Sequence, residues 1–473
     1  VSVELYEDQA DLVGRVRQAM RRHKGVLLQA GTGSGKTRMA LDMIAGAYAK
    51  GSSTVFAVPR TELLEQTIKT IADYGIPFGV ISPDHTYNPL AKIQIAMTPT
   101  LARRLDKIPA PKILFADECH FGGAELDRMI NWSRASGGWR VGLSATPYKT
   151  NGKPMGDHYD HMEEGLPIAE LIKRKRLSDF RYFAPSQPDF SQVKVRDGEY
   201  IQSQLESFME ADRAIIGDAV KTYRDIALGK LNVVFATSRK HAGIIAEMFN
   251  AMGITARTID GTMTKDERKR IILGFARREF TVLINVLLLN FGFDLAAAVA
   301  EYKLDVTVES MSDLCPRKSL PMQMQVWGRV LRWKSESAII LDHCGNWREN
   351  GFPDDPREWS LDGKKKRAAS DEKAEPARQC PIDDGGCGFV HRPAPCCPNC
   401  GRIYEIQSRM VAEIDGDLAE IDRKAMVRER KQEQGMSKDL NALILLGKSK
   451  GYPRPDLWAK KVMAGREAKL RRA

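Results

Sequence analysis

Val26-Leu27-Leu28-Gln29-Ala30-Gly31-Thr32-Gly33-Ser34-Gly35-Lys36-Thr37 decides how the rest of the chain is read. An apolar run of strand character stops at a loop with three alternating glycines. The loop closes on Lys-Thr, and a helix-like pattern follows from Arg38 to Ala49. Strand, loop and helix in that order make a phosphate cradle. Gly31, Gly33 and Gly35 let backbone N–H groups curl round a β-phosphate, because no Cβ blocks the approach. Lys36 adds a point charge at the β/γ oxygens, and the Thr37 hydroxyl can ligate Mg²⁺. Where such loops usually begin with glycine this chain has Ala30, so Ala30, Gly31, Thr32, Gly33, Ser34, Gly35, Lys36 and Thr37 form the expected ATP cradle.

The chain has 473 residues, of which 43% are hydrophobic. At about 150 residues per domain, that is roughly three units with room for large cores. No run of about 18 uncharged apolar residues suggests a membrane span. Val1 to Asp11 is acidic and mixed, unlike a secretory signal, so a cytoplasmic protein is expected. Five of the eight cysteines fall between Cys380 and Cys400. That clustering points to a metal site in a reducing compartment rather than to disulfides. The net charge is +11, and from Arg423 to the end 15 Lys and Arg face five Asp and Glu. A basic tail beside a nucleotide site suggests a polyanion partner, most simply nucleic acid.

Further apolar runs follow the cradle in order. Gln9 lies 25 residues before Ser34 and can present its amide to an adenine edge. Thr54–Val58 and Ile93–Met97 read as buried strands that end at Arg60 and Thr98, where open α/β sheets bind ligands. Ile113–Ala116 runs into Asp117-Glu118-Cys119-His120. Asp117 can hold the Mg²⁺ shell, and Glu118 can orient or deprotonate the attacking water. Trp139–Leu143 leads to Ser144-Ala145-Thr146, whose hydroxyls can respond to a γ-phosphate. Strands alternating with helical stretches give a parallel, doubly wound sheet.

A second α/β unit follows without a cradle of its own. Asn232–Ala236 is a strand ending at Thr237. Asp266–Arg278 reads as a basic helix, and Thr281–Val286 as another strand. Gln325-Val326-Trp327-Gly328-Arg329-Val330-Leu331-Arg332 supplies positive charge. Arg329 and Arg332 are three apart, hence on one face if the helix continues. Arginines delivered across a cleft stabilise charge on a transferring phosphoryl group, and Arg332 is the expected finger with Arg329 its neighbour.

Ala30–Thr37, Pro59–Leu63, Thr98–Thr100, Asp117–His120 and Ser144–Thr146 together resemble motifs I, Ia, Ib, II and III of superfamily 2 helicases, with a DECH box of the broad DEAD/DEAH group. Gln325–Arg332 resembles motif VI. Gly292-Phe293-Asp294 resembles motif V, whose aspartate reaches the ribose or the finger arginine. Two departures stand out: Leu287–Phe291 is more apolar than the family pattern, and Glu301–Asp313 is longer. The stretches 338–346 and 359–363 are similar to the ending of a bacterial and phage branch.

The resemblance implies an α/β fold of two tandem RecA-like parallel-sheet lobes, residues 1–177 and 178–350. It implies that Arg60, Thr98 and Thr237 face nucleic acid, and that Ser144, Thr146 and Gln325 couple the lobes. The activity implied is an ATP-dependent helicase or translocase on DNA. RNA is the alternative substrate, and a nucleic-acid-binding scaffold with a vestigial ATP site is the alternative of another class.

Residues 351–378 read as a linker and 379–405 as a small zinc-binding segment. Cys397-Pro398-Asn399-Cys400-Gly401 has the form of a zinc knuckle. Four thiolates satisfy tetrahedral Zn²⁺, which gives Cys380, Cys387, Cys397 and Cys400, with Cys396 or His391 as substitutes. Residues 406–473 read as a helical, basic arm.

Overall fold

The computed structural model describes residues 4–184, 188–196, 199–211, 213–286, 295, 299, 302, 304, 306–363, 377–382, 385–404, 437, 439–449 and 455–470. They fall into two compact units, Val1–Tyr404 and Glu405–Ala473. Gly292 and Asp294 of the motif V stretch lie outside the described residues.

The first sheet has seven strands: β1 (Gly25–Gln29), β2 (Thr54–Val58), β3 (Gly79–Ile81), β4 (Ile93–Met97), β5 (Ile113–Ala116), β6 (Trp139–Ser144) and β7 (His161–Glu164). Their order is β3-β4-β2-β5-β6-β1-β7, and every pairing is parallel. Helices α1 (Glu7–Ala19), α2 (Lys36–Ala49), α3 (Thr61–Asp73), α4 (Thr98–Ala102), α5 (Ala124–Ala135) and α6 (Ile168–Lys173) accompany it. The central strands read as unbroken apolar runs because helices bury both faces. Leu27, Leu28, Phe56, Leu114 and Leu143 are fully buried. The stretch 159–176, which reads from sequence as the exit from this lobe, contributes β7. Its glutamates are tolerated at a sheet edge, where Arg15 Nη1 donates to Glu163 Oε2 at 2.6 Å.

The second sheet is also parallel, in the order β12-β13-β11-β14-β15-β8. Its strands are β8 (Phe180–Phe183), β11 (Asn232–Ala236), β12 (Ala256–Asp260), β13 (Val282–Val286), β14 (Ser310–Asp313) and β15 (Ala338–Asp342). A small hairpin, β9 (Val195–Arg196) and β10 (Glu199–Tyr200), stands apart. The helices here are α7 (Gln202–Ala211), α8 (Arg213–Ala227), α9 (Arg239–Ala251), α10 (Lys265–Ala276), α11 (Leu320–Val330) and α12 (Asn346–Asn350). Strand β14, Ser-Met-Ser-Asp, is central yet polar. It is buried because Asn232 of β11 satisfies it: Ser310 Oγ donates to Asn232 Oδ1 at 3.0 Å, and Asn232 Nδ2 donates to Ser312 Oγ at 3.1 Å.

Residues 351–363 do not hang free between units. Phe352 joins the second core, and the backbone N–H groups of Met155 and Gly156 donate to Leu361 O in the first lobe. The cysteine-rich segment carries an antiparallel pair, β16 (Arg378–Gln379) and β17 (Val390–His391). It covers the edge strand β8: Phe389 bridges Phe183, Gln379 bonds Ala184 O, and Arg181 bonds Asn399. The second unit is a helical hairpin, α13 (Leu440–Ser449) and α14 (Pro455–Leu470), in which Leu443 and Ala459 are buried.

A buried ion pair sets the start of α11. Arg317 Nη1 donates to Asp313 Oδ1 and Oδ2 at 2.7 and 2.8 Å, and Gln323 and Asn346 bond the same carboxylate. Asp313 is 1% exposed and Arg317 4%. Removing one partner strands a buried charge. Arg317→Met is therefore expected to cost about 3–5 kcal/mol, read as a lower urea midpoint; an unchanged midpoint would contradict this role.

Candidate nucleotide site and cysteine cluster

Strand β1 delivers the glycine loop to the start of α2. Gly33 and Gly35 adopt φ of 85° and 86°, a region that penalises side chains. The first turn of α2 therefore begins at Lys36 with its N–H groups facing the loop. Lys36 is 8% exposed, and its Nζ donates to Ala30 O at 3.3 Å. Gln9 sits on the loop itself. Its Nε2 donates to Ser34 O at 2.8 Å, and its Oε1 accepts from Tyr6 N at 3.1 Å. Its amide thus braces the cradle, a different task from the adenine contact expected of it.

Strand β5 brings in the acidic pair, and Asp117 N donates to Ala57 O of β2 at 2.9 Å. Burial and then the Glu118 charge push the Asp117 carboxyl up to about 7, while Lys36 pulls it back. Glu118 has φ of 46°, strained for a residue with a side chain. The strain turns its carboxylate toward His120, 3.3 Å from Glu118 Oε2 to Nδ1.

His120 was not singled out from the sequence, yet it joins three motifs. Ser144 Oγ lies 3.0 Å from its Nδ1, and Gln325 Nε2 lies 3.0 Å from its Nε2. Ser144 spends its own proton on Thr146 O at 2.5 Å, so it must accept from Nδ1–H. The Gln325 amide nitrogen can only donate, so Nε2 must accept. Both constraints give the same neutral tautomer, and burial holds the His120 pKa down at about 4.

Helix α11 lies against this lobe with one stripe. Gln325 reaches His120. Three residues on, a Cβ at Gly328 would be driven into the Thr32 side chain. Four residues on from Gln325, Arg329 shares that face and is 9% exposed. The helix ends at Val330, with Leu331 as its cap. Arg332 is therefore off the helix, and the shared-face argument for the two arginines fails. Its backbone instead bridges Leu177, whose side chain lies over Gly33. Ser178 Oγ donates to Arg332 O at 2.9 Å. The two arginines thus sit on different elements, Arg329 in α11 and Arg332 beyond its end.

Among the described residues, several buried atoms around this cleft have no hydrogen-bond partner: Thr32 Oγ1, Ser34 Oγ, Thr146 Oγ1 and Gln325 Oε1. Buried polar groups normally have partners. Polar atoms converging on a cradle of backbone N–H groups fit a polar, anionic ligand. Of the residues expected at nucleic acid, Arg60 caps α3 and is exposed, and Thr98 opens α4. Thr237 is 1% exposed with its hydroxyl 3.0 Å from His241 Nδ1, so that hydroxyl is not presented to solvent.

The Sγ atoms of Cys380, Cys387, Cys397 and Cys400 lie within 4.8 Å of one another. Cys380 and Cys400 are 3.8 Å apart, and Cys387 and Cys397 are 3.7 Å apart. Four sulfurs at about 2.3 Å from a tetrahedral Zn²⁺ would be about 3.8 Å from each other, so the donors fit that ion. Although burial opposes it, the backbone N–H groups of Cys400 and Asn399 hold the Cys397 thiol down near 7. Cys396 bridges Ile403, and His391 Nε2 is 2.6 Å from the Tyr404 hydroxyl. His391 is thus engaged elsewhere, whereas the Cys396 thiol is exposed.

The comparisons agree with this geometry. Residues 2–149 match the family model of the type III restriction enzyme, res subunit, and residues 218–334 match the helicase conserved C-terminal domain. A 51.5 kDa protein of a Lactococcus phage (isolate 7-9) is 28% identical over 387 residues, 81% of this chain and 79% of that one. A putative mitochondrial ATP-dependent helicase of Schizosaccharomyces pombe, irc3, is 23% identical over 348 residues. That match takes in 70% of this chain and 55% of the yeast protein. The ATP-dependent type ISP restriction-modification enzyme LlaBIII, solved bound to DNA, shares the fold with a TM-score of 0.52 at 14% identity. The superposition covers 72% of this chain and 28% of that enzyme. The two family models, one over most of each parallel sheet, make the chain a member of superfamily 2 of the helicases.

Proposed function

We propose that the chain is an ATP-driven helicase or translocase that works on DNA. The observation that carries this is the Gln325, Gly328, Arg329 stripe of the second lobe lying on His120 and Thr32 of the first. A bound triphosphate would then be held from one side and touched from the other. Lys36 and the loop N–H groups hold the β/γ oxygens, and Thr37 and Asp117 are the residues that would hold Mg²⁺. That ion, when bound, neutralises charge on the phosphates. Glu118 orients the attacking water and takes its proton. Arg329, with Arg332 beside the loop, stabilises charge on the γ-phosphoryl group.

His120 reports the state of Glu118 to α11, because a neutral imidazole passes a hydrogen-bond change from Ser144 to Gln325. Lobe movement then shifts the strand contacts along one phosphate chain. Two things favour DNA over RNA: the restriction-enzyme family model over the first lobe, and the DNA-bound state of LlaBIII. The four cysteines hold a structural Zn²⁺ that closes the 377–404 segment onto β8. With four protein ligands it leaves no open position for chemistry.

ATP turnover is expected to rise with added DNA and to rise less with RNA. No rise with either polymer would sink the motor reading, and a larger rise with RNA would move the substrate. Lys36→Ala and Glu118→Gln are expected to abolish turnover with folding intact, and Arg329→Ala to lower it about 10³-fold or more. Wild-type rates in these variants would contradict the assignments. Gly328→Val overpacks the contact with Thr32. It is expected to cost about 1–3 kcal/mol of nucleotide-driven closure, a roughly 5- to 150-fold weaker apparent affinity for an ATP analogue. The purified chain is expected to hold one Zn²⁺. Chelation or Cys397→Ser removes it and lowers the melting temperature; a metal-free chain with the same melting temperature would refute the site.

A further inference from the structure

The start of α11 is capped in an unusual way. Ser319 occupies the N-cap position, where a serine normally bonds its own helix, yet it makes no such bond. Its hydroxyl donates to Thr150 O of the first lobe at 3.1 Å. Thr150 in turn donates its N–H to His120 O at 3.0 Å. Helix α11 therefore lands twice on the His120 loop: at Ser319 through Thr150, and at Gln325 directly. Glu199 on the β9–β10 hairpin takes the backbone N–H groups at the entry to the helix. Its carboxylate accepts from Lys318 N at 2.9 and 3.2 Å and from Ser319 N at 2.9 Å. It also accepts from Tyr200 N within its own hairpin at 3.1 Å. A negative charge suits a helix N-terminus. Pro321, in the first turn, removes one of the N–H groups that would otherwise need a partner.

We propose that Glu199 is a positioning residue for motif VI: it caps the entry to α11 through the N–H groups of Lys318 and Ser319 and so holds the Ser319 hydroxyl where it bonds the first lobe. Ser319 is the second positioning residue, tying the motif VI helix to the DECH loop. Neither side chain touches nucleotide. Both set the angle at which Arg329 meets the cradle. If Glu199 is lost, the backbone at Lys318 and Ser319 loses its anchor, and the Thr150 contact weakens with it.

This inference rests on the motor reading for its kinetic consequence but not for its structural one, so two readouts are taken on the full chain. The first is amide hydrogen exchange without nucleotide or polymer. Glu199→Ala is expected to speed exchange at residues 318–319 by about tenfold. Ser319→Ala is expected to speed it at residues 148–152 several-fold while leaving 318–319 protected. Unchanged exchange in both variants overturns the proposal, whatever the enzyme does.

The second readout is DNA-stimulated ATP turnover. Ser319→Ala and Glu199→Ala are expected to lower kcat about three- to tenfold, the loss of one hydrogen bond, with KM for ATP and the melting temperature unchanged. Ser319→Thr keeps a hydroxyl and is expected to restore the rate. A rise in KM alone, a lowered melting temperature with matching loss of rate, or no rescue by threonine assigns the residues a merely structural role. If wild-type chain shows no stimulated turnover while exchange behaves as expected, the motor reading fails and the capping assignment stands.

Discussion

One neutral imidazole holds the site together. His120 is fully buried, and each ring nitrogen is committed, one to Ser144 and the other to Gln325. With the Gln325 amide nitrogen on Nε2, the neutral ring is the form that matches both partners. Burial keeps the ring neutral far below physiological pH. It also makes the bonds directional, since each side has one geometry that satisfies the proton count. The acidic pair, the Ser144–Thr146 turn and the arginine-bearing helix therefore move as one set.

The second lobe is organised to present α11 against that ring. The Asp313–Arg317 pair fixes the chain just before the helix, and Gln323 bolts the first turns to the end of β14. The remaining Gln325, Gly328 and Arg329 stripe is left to face the first lobe. A glycine in mid-helix is a cost in isolation. Here it lets the helix backbone approach Thr32 of the cradle. The polar burial in β14 belongs to the same arrangement, because the serines and Asn232 hold the strand whose last residue is Asp313.

Most of the first lobe was legible from sequence for a simple reason. Strands β1, β2, β4, β5 and β6 are covered on both faces, so they are written as apolar runs, and each ends at a residue pattern with its own chemistry. Strand β14 was not legible, because its polar residues look like a loop until Asn232 is placed beside them. Strand β7 was hidden by its glutamates, which an edge position permits. The four cysteines that thiolate count and the 397–400 knuckle single out lie together despite the wide spacing between Cys380 and Cys387. The helical phase of Arg332 misled because no proline or glycine marks the stop at Val330. The task of His120 was invisible for another reason: its partners lie 24 and 205 residues away.

The central claim is that His120 and Gln325 act as one coupling element between the lobes. A double-mutant cycle in DNA-stimulated ATP turnover tests it most directly, with His120→Ala, Gln325→Ala and the pair. Each single variant is expected to lose most of the stimulation while keeping its unstimulated rate, and the pair is expected to be no worse than either. Losses that multiply in the pair, or stimulation that survives both changes, would show that the two lobes communicate by another route.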